Sequence, residues 1–188
     1  MVKAQMAKPK NDNIVLIGFM GVGKGRTARS IAARTGRYAL DCDDLIESYA
    51  NKRIGQIFRD EGEAEFRRLE RATANWLADN VQEAVISTGG GFIKVANLKK
   101  IGVVVYLHSD FETIIQAIHA HENADKKIKK RPLLADLKAA QRLYDERLPL
   151  YRQLADIEIH TAERTTERIT DEILDRLASF SRQANKPD

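Results

Sequence analysis

Apolar residues along the chain follow two alternating rhythms. Short, nearly uninterrupted apolar runs occur at Ile14–Ile17, Tyr38–Leu40, Ala84–Ser87, Val103–Leu107 and Ile157–His160. Between them, apolar positions recur at helical spacing over 26–35, 44–51, 63–79, 110–121, 138–154 and 164–180. Compact apolar runs bounded by turn residues read as buried strands, and i, i+3, i+4 spacing reads as amphipathic helices. Strands alternating with helices predict an α/β fold, a three-layer sandwich with a five-stranded parallel sheet covered on both faces. Val103–Leu107 is apolar throughout, as a central parallel strand should be. On the helix over 63–79, Phe66, Leu69, Thr73 and Trp76 are the predicted inward stripe. In such a sheet, ligands bind outside the carboxyl ends of the strands, so the segments after each strand are the place to look for chemistry.

The segment after the first strand reads Gly18-Phe19-Met20-Gly21-Val22-Gly23-Lys24-Gly25-Arg26. Gly18, Gly23 and Lys24 fit the phosphate-loop pattern G-x-x-x-x-G-K-[ST], but residue 25 is Gly where the pattern has Ser or Thr. A glycine loop between strand and helix turns backbone N–H groups toward a phosphate, and the helix N-terminus adds partial positive charge there. Lys24 is placed to reach the β- and γ-phosphates. None of this needs a side chain at residue 25. The absent hydroxyl is the group that normally ligates Mg²⁺, an ion that keeps several waters, so water is expected to take the vacant place and metal binding to weaken rather than vanish. Thr27 lies on the opposite side of the helix and is no substitute.

Composition narrows the setting. With 188 residues, 43% apolar and 31% charged, the chain has the size and balance of one soluble domain with a sizeable core. Its net charge of +4 is concentrated near the termini and in Lys126–Arg131, which argues against a broad nucleic-acid surface. The single Cys42 excludes an internal disulfide and a cysteine zinc cluster. No apolar run approaches the ~20 residues that span a membrane. The Lys-rich start lacks the apolar core of a secretory signal. Residues 1–12 are therefore expected to be a disordered basic arm, 13–180 a single domain and 181–188 a disordered tail, in a cytoplasmic protein. The basic, polar stretch 121–136 ends in Arg131-Pro132-Leu133-Leu134 and reads either as a solvated loop or as a mobile lid over phosphates.

Further constellations follow the other strands. After the second strand comes Asp41-Cys42-Asp43-Asp44; strand alternation puts Asp41 and Asp43 on one side. One carboxylate is suited to holding Mg²⁺ through water and the other to accepting a proton from an attacking hydroxyl. Helix capping is the competing use, and Asp44 alone would satisfy it. In Gly62-Glu63-Ala64-Glu65-Phe66-Arg67-Arg68-Leu69-Glu70, Arg67 stands i+4 from Glu63 and i−3 from Glu70, which by itself is a surface salt-bridge ladder. After the third strand, Gly89-Gly90-Gly91 permits close approach to the backbone. Near the C-terminus, Arg147-Leu148-Pro149-Leu150-Tyr151 sets an arginine, the residue suited to bidentate carboxylate capture, beside a proline turn.

Taken together, the phosphate loop, Asp41-x-Asp43, Gly62-Glu63-x-x-Phe66-Arg67-x-x-Glu70, Gly89–Gly91, Arg131-Pro132-Leu133-Leu134 and Arg147-x-Pro149-Leu150-Tyr151 resemble the shikimate kinases over Asn13 to Phe180. The resemblance implies a nucleoside-monophosphate-kinase-like fold and transfer of the γ-phosphoryl of ATP to the 3-hydroxyl of shikimate with Mg²⁺. It also implies small-molecule partners only, with no nucleic acid or membrane, and a monomer. Carried over by position, Gly21, Val22, Gly23, Lys24, Gly25 and Arg26 wrap the phosphates. Asp43 contacts the shikimate hydroxyls and is the base. Asp41 supports the Mg²⁺ shell through water. Arg67 and Arg147 clamp the shikimate carboxylate beside Gly89, Gly90 and Gly91. Arg131 closes over the nucleotide and neutralises transferring charge, with Lys24 and Asp43 as the other catalytic groups, and Arg164 flanks the adenine.

The chain departs from the family pattern at Gly25-Arg26, where Ser/Thr and Thr are usual, and at His119, where an arginine is common. Two readings follow: a working shikimate kinase with altered metal dependence, or a kinase-like binding protein with little turnover. A kinase for another small hydroxy acid is a third.

Overall fold

The computed structural model describes residues 12–120 and 136–184. Five parallel strands, β1 (Ile14–Ile17), β2 (Tyr38–Asp41), β3 (Ala84–Ser87), β4 (Val103–His108) and β5 (Ile157–His160), form one sheet in the order β2-β3-β1-β4-β5. β1 lies at the centre, pairing Ile14 with Val85 on one side and with Val103 on the other. Burial explains the order. β1 and β3 are buried at every position, whereas β2 leaves Tyr38 exposed and β5 alternates Ile157 and Ile159 inward with Glu158 and His160 outward. Strands apolar on both faces fill the centre, and strands with polar positions take the edges.

The helices are α1 (Lys24–Thr35), α2 (Cys42–Ala50), α3 (Ile54–Asp60), α4 (Gly62–Asn80), α5 (Leu98–Ile101), α6 (Phe111–His119), α7 (Leu137–Leu154) and α8 (Thr166–Ala184), with a 3-10 turn at Phe92–Lys94. Alternate strand residues feed two cores. Ile14, Leu16, Val85, Val105 and Leu107 pack with Ala28 and Ile31 of α1 and Ile169 and Ile173 of α8. Val15, Ile17, Ile86, Val104 and Tyr106 pack on the opposite face with Leu77 of α4 and Tyr144 and Tyr151 of α7. The predicted three-layer α/β sandwich is the observed architecture. A satellite cluster of Ile46, Ile57, Phe66 and Leu69 holds α2, α3 and α4 together.

Buried Asn13 ties the amino ends of the strands. Its Nδ2 donates to Val81 O at 2.7 Å and to Ile101 O at 2.8 Å, and its Oδ1 accepts from Ala84 N at 2.9 Å. Each of these backbone groups is thereby satisfied away from water.

Several elements differ from expectation. α3 has no counterpart in the periodicity, because it is short and opens on a capped polar turn. There the Gln56 side chain accepts from Arg53 N and the Glu47 side chain accepts from Ile54 N. The inward face of α4 is Phe66, Leu69, Glu70, Ala74 and Leu77, while Trp76 is 47% exposed and Thr73 only partly buried. Trp76 stands one residue, about 100° around a 3.6-residue helix, from buried Leu77 and so falls to the side of the core face. Pro149 makes no turn: α7 runs through it, with the proline on the exposed side. The last helix extends to Ala184, past the expected end at 180. The arm through Asn11, most of the expected lid including Arg131, and residues 185–188 lie outside the described residues.

Candidate active site

The carboxyl ends of β1, β2 and β3 converge on one cleft, with a face of α7 completing it. After β1 the chain turns through Gly18–Gly23, and Gly23 caps α1 in the left-handed region (φ 101°). A side chain at Gly18 is excluded, since a Cβ there would lie 2.6 Å from Leu107 O. Phe19 anchors the loop, buried edge-on against Phe111 and Tyr144. Lys24, buried in the first turn of α1, donates from Nζ to Gly18 O at 2.8 Å and to Phe19 O at 3.0 Å. The loop is thus folded around its own ammonium group.

A cavity of about 380 Å³ opens beside this loop, lined by Gly21, Val22, Gly23 and Arg26 together with Ser109 and Arg164 among others. Arg164 reaches the cavity wall, but its guanidinium is ion-paired with Glu172 and also donates to His160 O. Thr27 faces this cavity too. Ser109, Thr113, Thr161 and Thr166 also line it; none was singled out in the sequence, where their only signal is that they follow the ends of β4 and β5. His119, at the exposed end of α6, lies at the close of the described segment.

After β2 the backbone does not stay extended. Asp41 is the N-cap of α2, and its Oδ1 accepts from Asp43 N at 2.9 Å. Strand alternation therefore does not relate Asp41 to Asp43, and Asp41, not Asp44, does the capping. The two carboxylates are brought together by the first turn of a helix instead. Burial raises Asp43 to about 6, reinforced by the charge of Asp41 and opposed by Lys24, with smaller upward contributions from Glu70 and Asp44. Buried Cys42 has its thiol pushed up by desolvation and by Asp41, Asp43 and Glu70, so it is an inert thiol.

The glycine triplet after β3 explains itself by its neighbours. A Cβ at Gly89 would lie 2.8 Å from Asp43 Oδ1, one at Gly90 would lie 3.2 Å from Arg147 Nη1, and one at Gly91 would lie 2.7 Å from Arg67 Nη1. Each glycine makes room for one charged side chain of the cleft. Arg147 Nη2 also reaches to 3.5 Å from the Gly91 position, so both guanidiniums meet at the same backbone. Tyr151, one turn beyond Arg147 on α7, donates from its hydroxyl to Gly90 O at 2.7 Å and pins the triplet.

Arg67 is braced on both sides. Its Nη1 donates to Glu70 Oε2 at 2.5 Å, and its Nε and Nη2 donate to Glu63 Oε1 at 3.0 and 2.8 Å. The salt-bridge ladder is therefore real, but one rung is not on the surface: Glu70 is 2% exposed. Arg147 is 8% exposed and its buried Nε has no hydrogen-bond partner among the described residues. A smaller cavity of about 220 Å³ lies beside Glu63, Arg67, Glu70 and Lys94. Lys94, which sequence reasoning did not single out, adds positive charge there.

Comparison with known proteins agrees with this geometry. The shikimate kinase family model matches residues 20–178. A shikimate kinase of Helicobacter hepaticus is 42% identical over 142 residues, covering 76% of this chain and 82% of the relative. The structure of shikimate kinase from Acinetobacter baumannii in complex with shikimate superposes with a TM-score of 0.78 at 34% identity, covering 89% of this chain and 93% of that one. The Aquifex aeolicus shikimate kinase structure gives 0.75 at 30% identity, covering 90% and 98%. The chain belongs to the shikimate kinase family.

Proposed function

We propose that the protein transfers the γ-phosphoryl of ATP to the 3-hydroxyl of shikimate, giving shikimate 3-phosphate and ADP. The observation that carries this reading is the convergence of Arg67 and Arg147 on Gly91, with Arg147 Nε buried and without a partner among the described residues. Two like charges aimed at one spot call for an anion between them, and guanidinium forks match a carboxylate. Shikimate supplies one carboxylate for that clamp and a row of hydroxyls that extends toward Asp43.

Roles follow from position. The N–H groups of Gly21–Arg26 and the N-terminus of α1 cradle the phosphates, and Lys24 exchanges its bonds to Gly18 O and Phe19 O for phosphate oxygens. Asp43 accepts the proton of the 3-hydroxyl as that oxygen bonds to the γ-phosphorus, and the electron pair of the breaking bond leaves on ADP. A carboxylate at about 6 is mostly ionised at neutral pH yet basic enough to take a proton. The remaining work is positioning and charge neutralisation.

The family implies magnesium on the nucleotide, and the donors present fit it. With Asp41 Oδ1 spent on capping, Oδ2 lies 3.8 Å from where a Cβ of residue 25 would stand. Among the described residues no three His, Cys, Asp or Glu side chains group into a metal site; Asp41 would hold the ion through water, beside the nucleotide's phosphates. When bound, magnesium neutralises charge on the β- and γ-phosphates.

Gly25 favours a second reading, a family member that binds its ligands with little turnover. A coupled ADP-release assay with shikimate across a Mg²⁺ titration separates the two. Shikimate-dependent ADP supports the kinase, whereas calorimetric ligand uptake without product supports the binding protein. Among the described residues no helix is long and apolar enough to cross a membrane. The reading extends to a cytoplasmic monomer, which sedimentation of the purified chain tests.

A further inference from the structure

Gly25 removes a hydroxyl from the phosphate loop, and its surroundings supply another. The heavy atoms nearest to where its Cβ would stand are Arg29 Nη1 at 3.6 Å, Asp41 Oδ2 at 3.8 Å and Ser87 Oγ at 3.8 Å. Two of these are hard oxygen donors. Asp41 and Ser87 end adjacent strands and are paired in the sheet register, so a rigid backbone holds their side chains side by side. Ser87 is 3% exposed; its hydroxyl has no hydrogen bond among the described residues and is not one of their fully enclosed, unsatisfied polar atoms, so it is open to the cleft. Its neighbour differs: Thr88 Oγ1 is committed to Leu16 O at 2.9 Å.

We propose that Ser87, together with Asp41, supplies oxygen to the shell of the nucleotide-bound divalent cation, directly or through one water, in place of the hydroxyl that the strict phosphate-loop pattern carries at residue 25. The role rests on the kinase reading above, but it concerns metal retention rather than the acceptor. Hard oxygen ligands suit Mg²⁺, whose shell tolerates exchange of a protein ligand for water or for a hydroxyl from another element. The helix N-terminus at Lys24–Gly25 holds the phosphates on one side of this point, and the ends of β2 and β3 close the other. Arg29 approaches from solvent at the end of an exposed side chain. It is the competing occupant, a guanidinium in place of a metal.

The test uses Mn²⁺ as a spectroscopic stand-in, titrated by electron paramagnetic resonance into the full chain saturated with a non-hydrolysable ATP analogue. Ser87→Ala is expected to weaken Mn²⁺ in this ternary complex by about 10-fold, while analogue binding measured in a chelator stays unchanged. Ser87→Thr, which keeps the hydroxyl, retains affinity and controls for packing in β3. In a Gly25→Ser background the effect of Ser87→Ala shrinks to about 2-fold or less, because the two hydroxyls serve the same shell and their effects are not additive. Unchanged Mn²⁺ affinity in Ser87→Ala overturns the proposal. So does a large gain in Mn²⁺ affinity in Arg29→Ala alongside no loss in Ser87→Ala, which assigns the space to the guanidinium. Failure of the analogue to bind wild type overturns the nucleotide-binding reading itself, and this role with it.

Discussion

Arg67 and Glu70 form the innermost rung of the cleft, with Arg67 Nη1 2.5 Å from Glu70 Oε2 and Glu70 almost fully buried. A carboxylate taken out of water in this way fixes the guanidinium that faces Gly91. Glu70→Ala should raise KM for shikimate by about 10-fold or more with little change in KM for ATP. It should also lower stability by about 1–3 kcal/mol, the cost of leaving a charged group short of its partner. Steady-state kinetics with each substrate varied, alongside thermal unfolding, checks both.

The glycine triplet should separate binding from turnover. Gly91→Ala would press on Arg67 Nη1, whereas Gly89→Ala would press on Asp43 Oδ1. Each neighbour is the far end of a side chain, so folding should tolerate either change and the site should not. Gly91→Ala is expected mainly to raise KM for shikimate. Gly89→Ala is expected mainly to lower kcat, by about 10-fold or more, because misplacing the base costs catalysis. Equal effects on both parameters in both variants would contradict the assignment of one charged group to each glycine.

Asp43 links activity to pH and opposes stability. Its folded-state value of about 6 lies above the ordinary 3.8, so the folded protein holds that proton more tightly than the unfolded chain. The ionised carboxylate therefore costs stability, a cost absent below pH 3.8 and fully present above 6. Asp43→Asn should stabilise the protein by about 1–3 kcal/mol at pH 8, and progressively less as pH falls through this window. The same variant should lose about 100-fold or more in kcat. In the wild type, kcat/KM should rise with pH through about 6. Denaturant unfolding at several pH values and a pH–rate profile check the two signs.

Much of the frame was legible because long-range order here follows local pattern. The apolar runs at Ile14–Ile17 and Ala84–Ser87 are the observed strands, since strands buried on both faces write their burial directly into sequence. The start of α2 was not legible. Asp41-Cys42-Asp43 suits an extended segment or a capped helix equally, and only the Asp41–Asp43 hydrogen bond decides. Trp76 is large and apolar yet stands beside the core face of α4, which the smaller Ala74 and Leu77 hold. The candidate site was readable as a list of charged and glycine motifs. Their pairing, Gly89 with Asp43 and Gly91 with Arg67, is tertiary and leaves no local trace. Ser87 was hidden for the same reason: only the register of β2 against β3 places it beside Asp41.

Asn13 is expected to matter for stability alone. Its side chain makes three buried or part-buried hydrogen bonds to backbone that joins β1, β3 and α5. Asn13→Ala should destabilise the fold by about 2–4 kcal/mol, since backbone groups would lose their partners away from water. Ligand affinities of the folded fraction should not change. Thermal unfolding with and without an ATP analogue distinguishes this from an effect on the cleft.

The most direct measurement is coupled ADP release by the purified full chain at saturating Mg²⁺ and ATP, with and without shikimate. A shikimate-dependent rate that falls in both Arg67→Ala and Arg147→Ala, with ATP binding retained, is the predicted result. No shikimate-dependent ADP from a folded chain that binds ATP would contradict it.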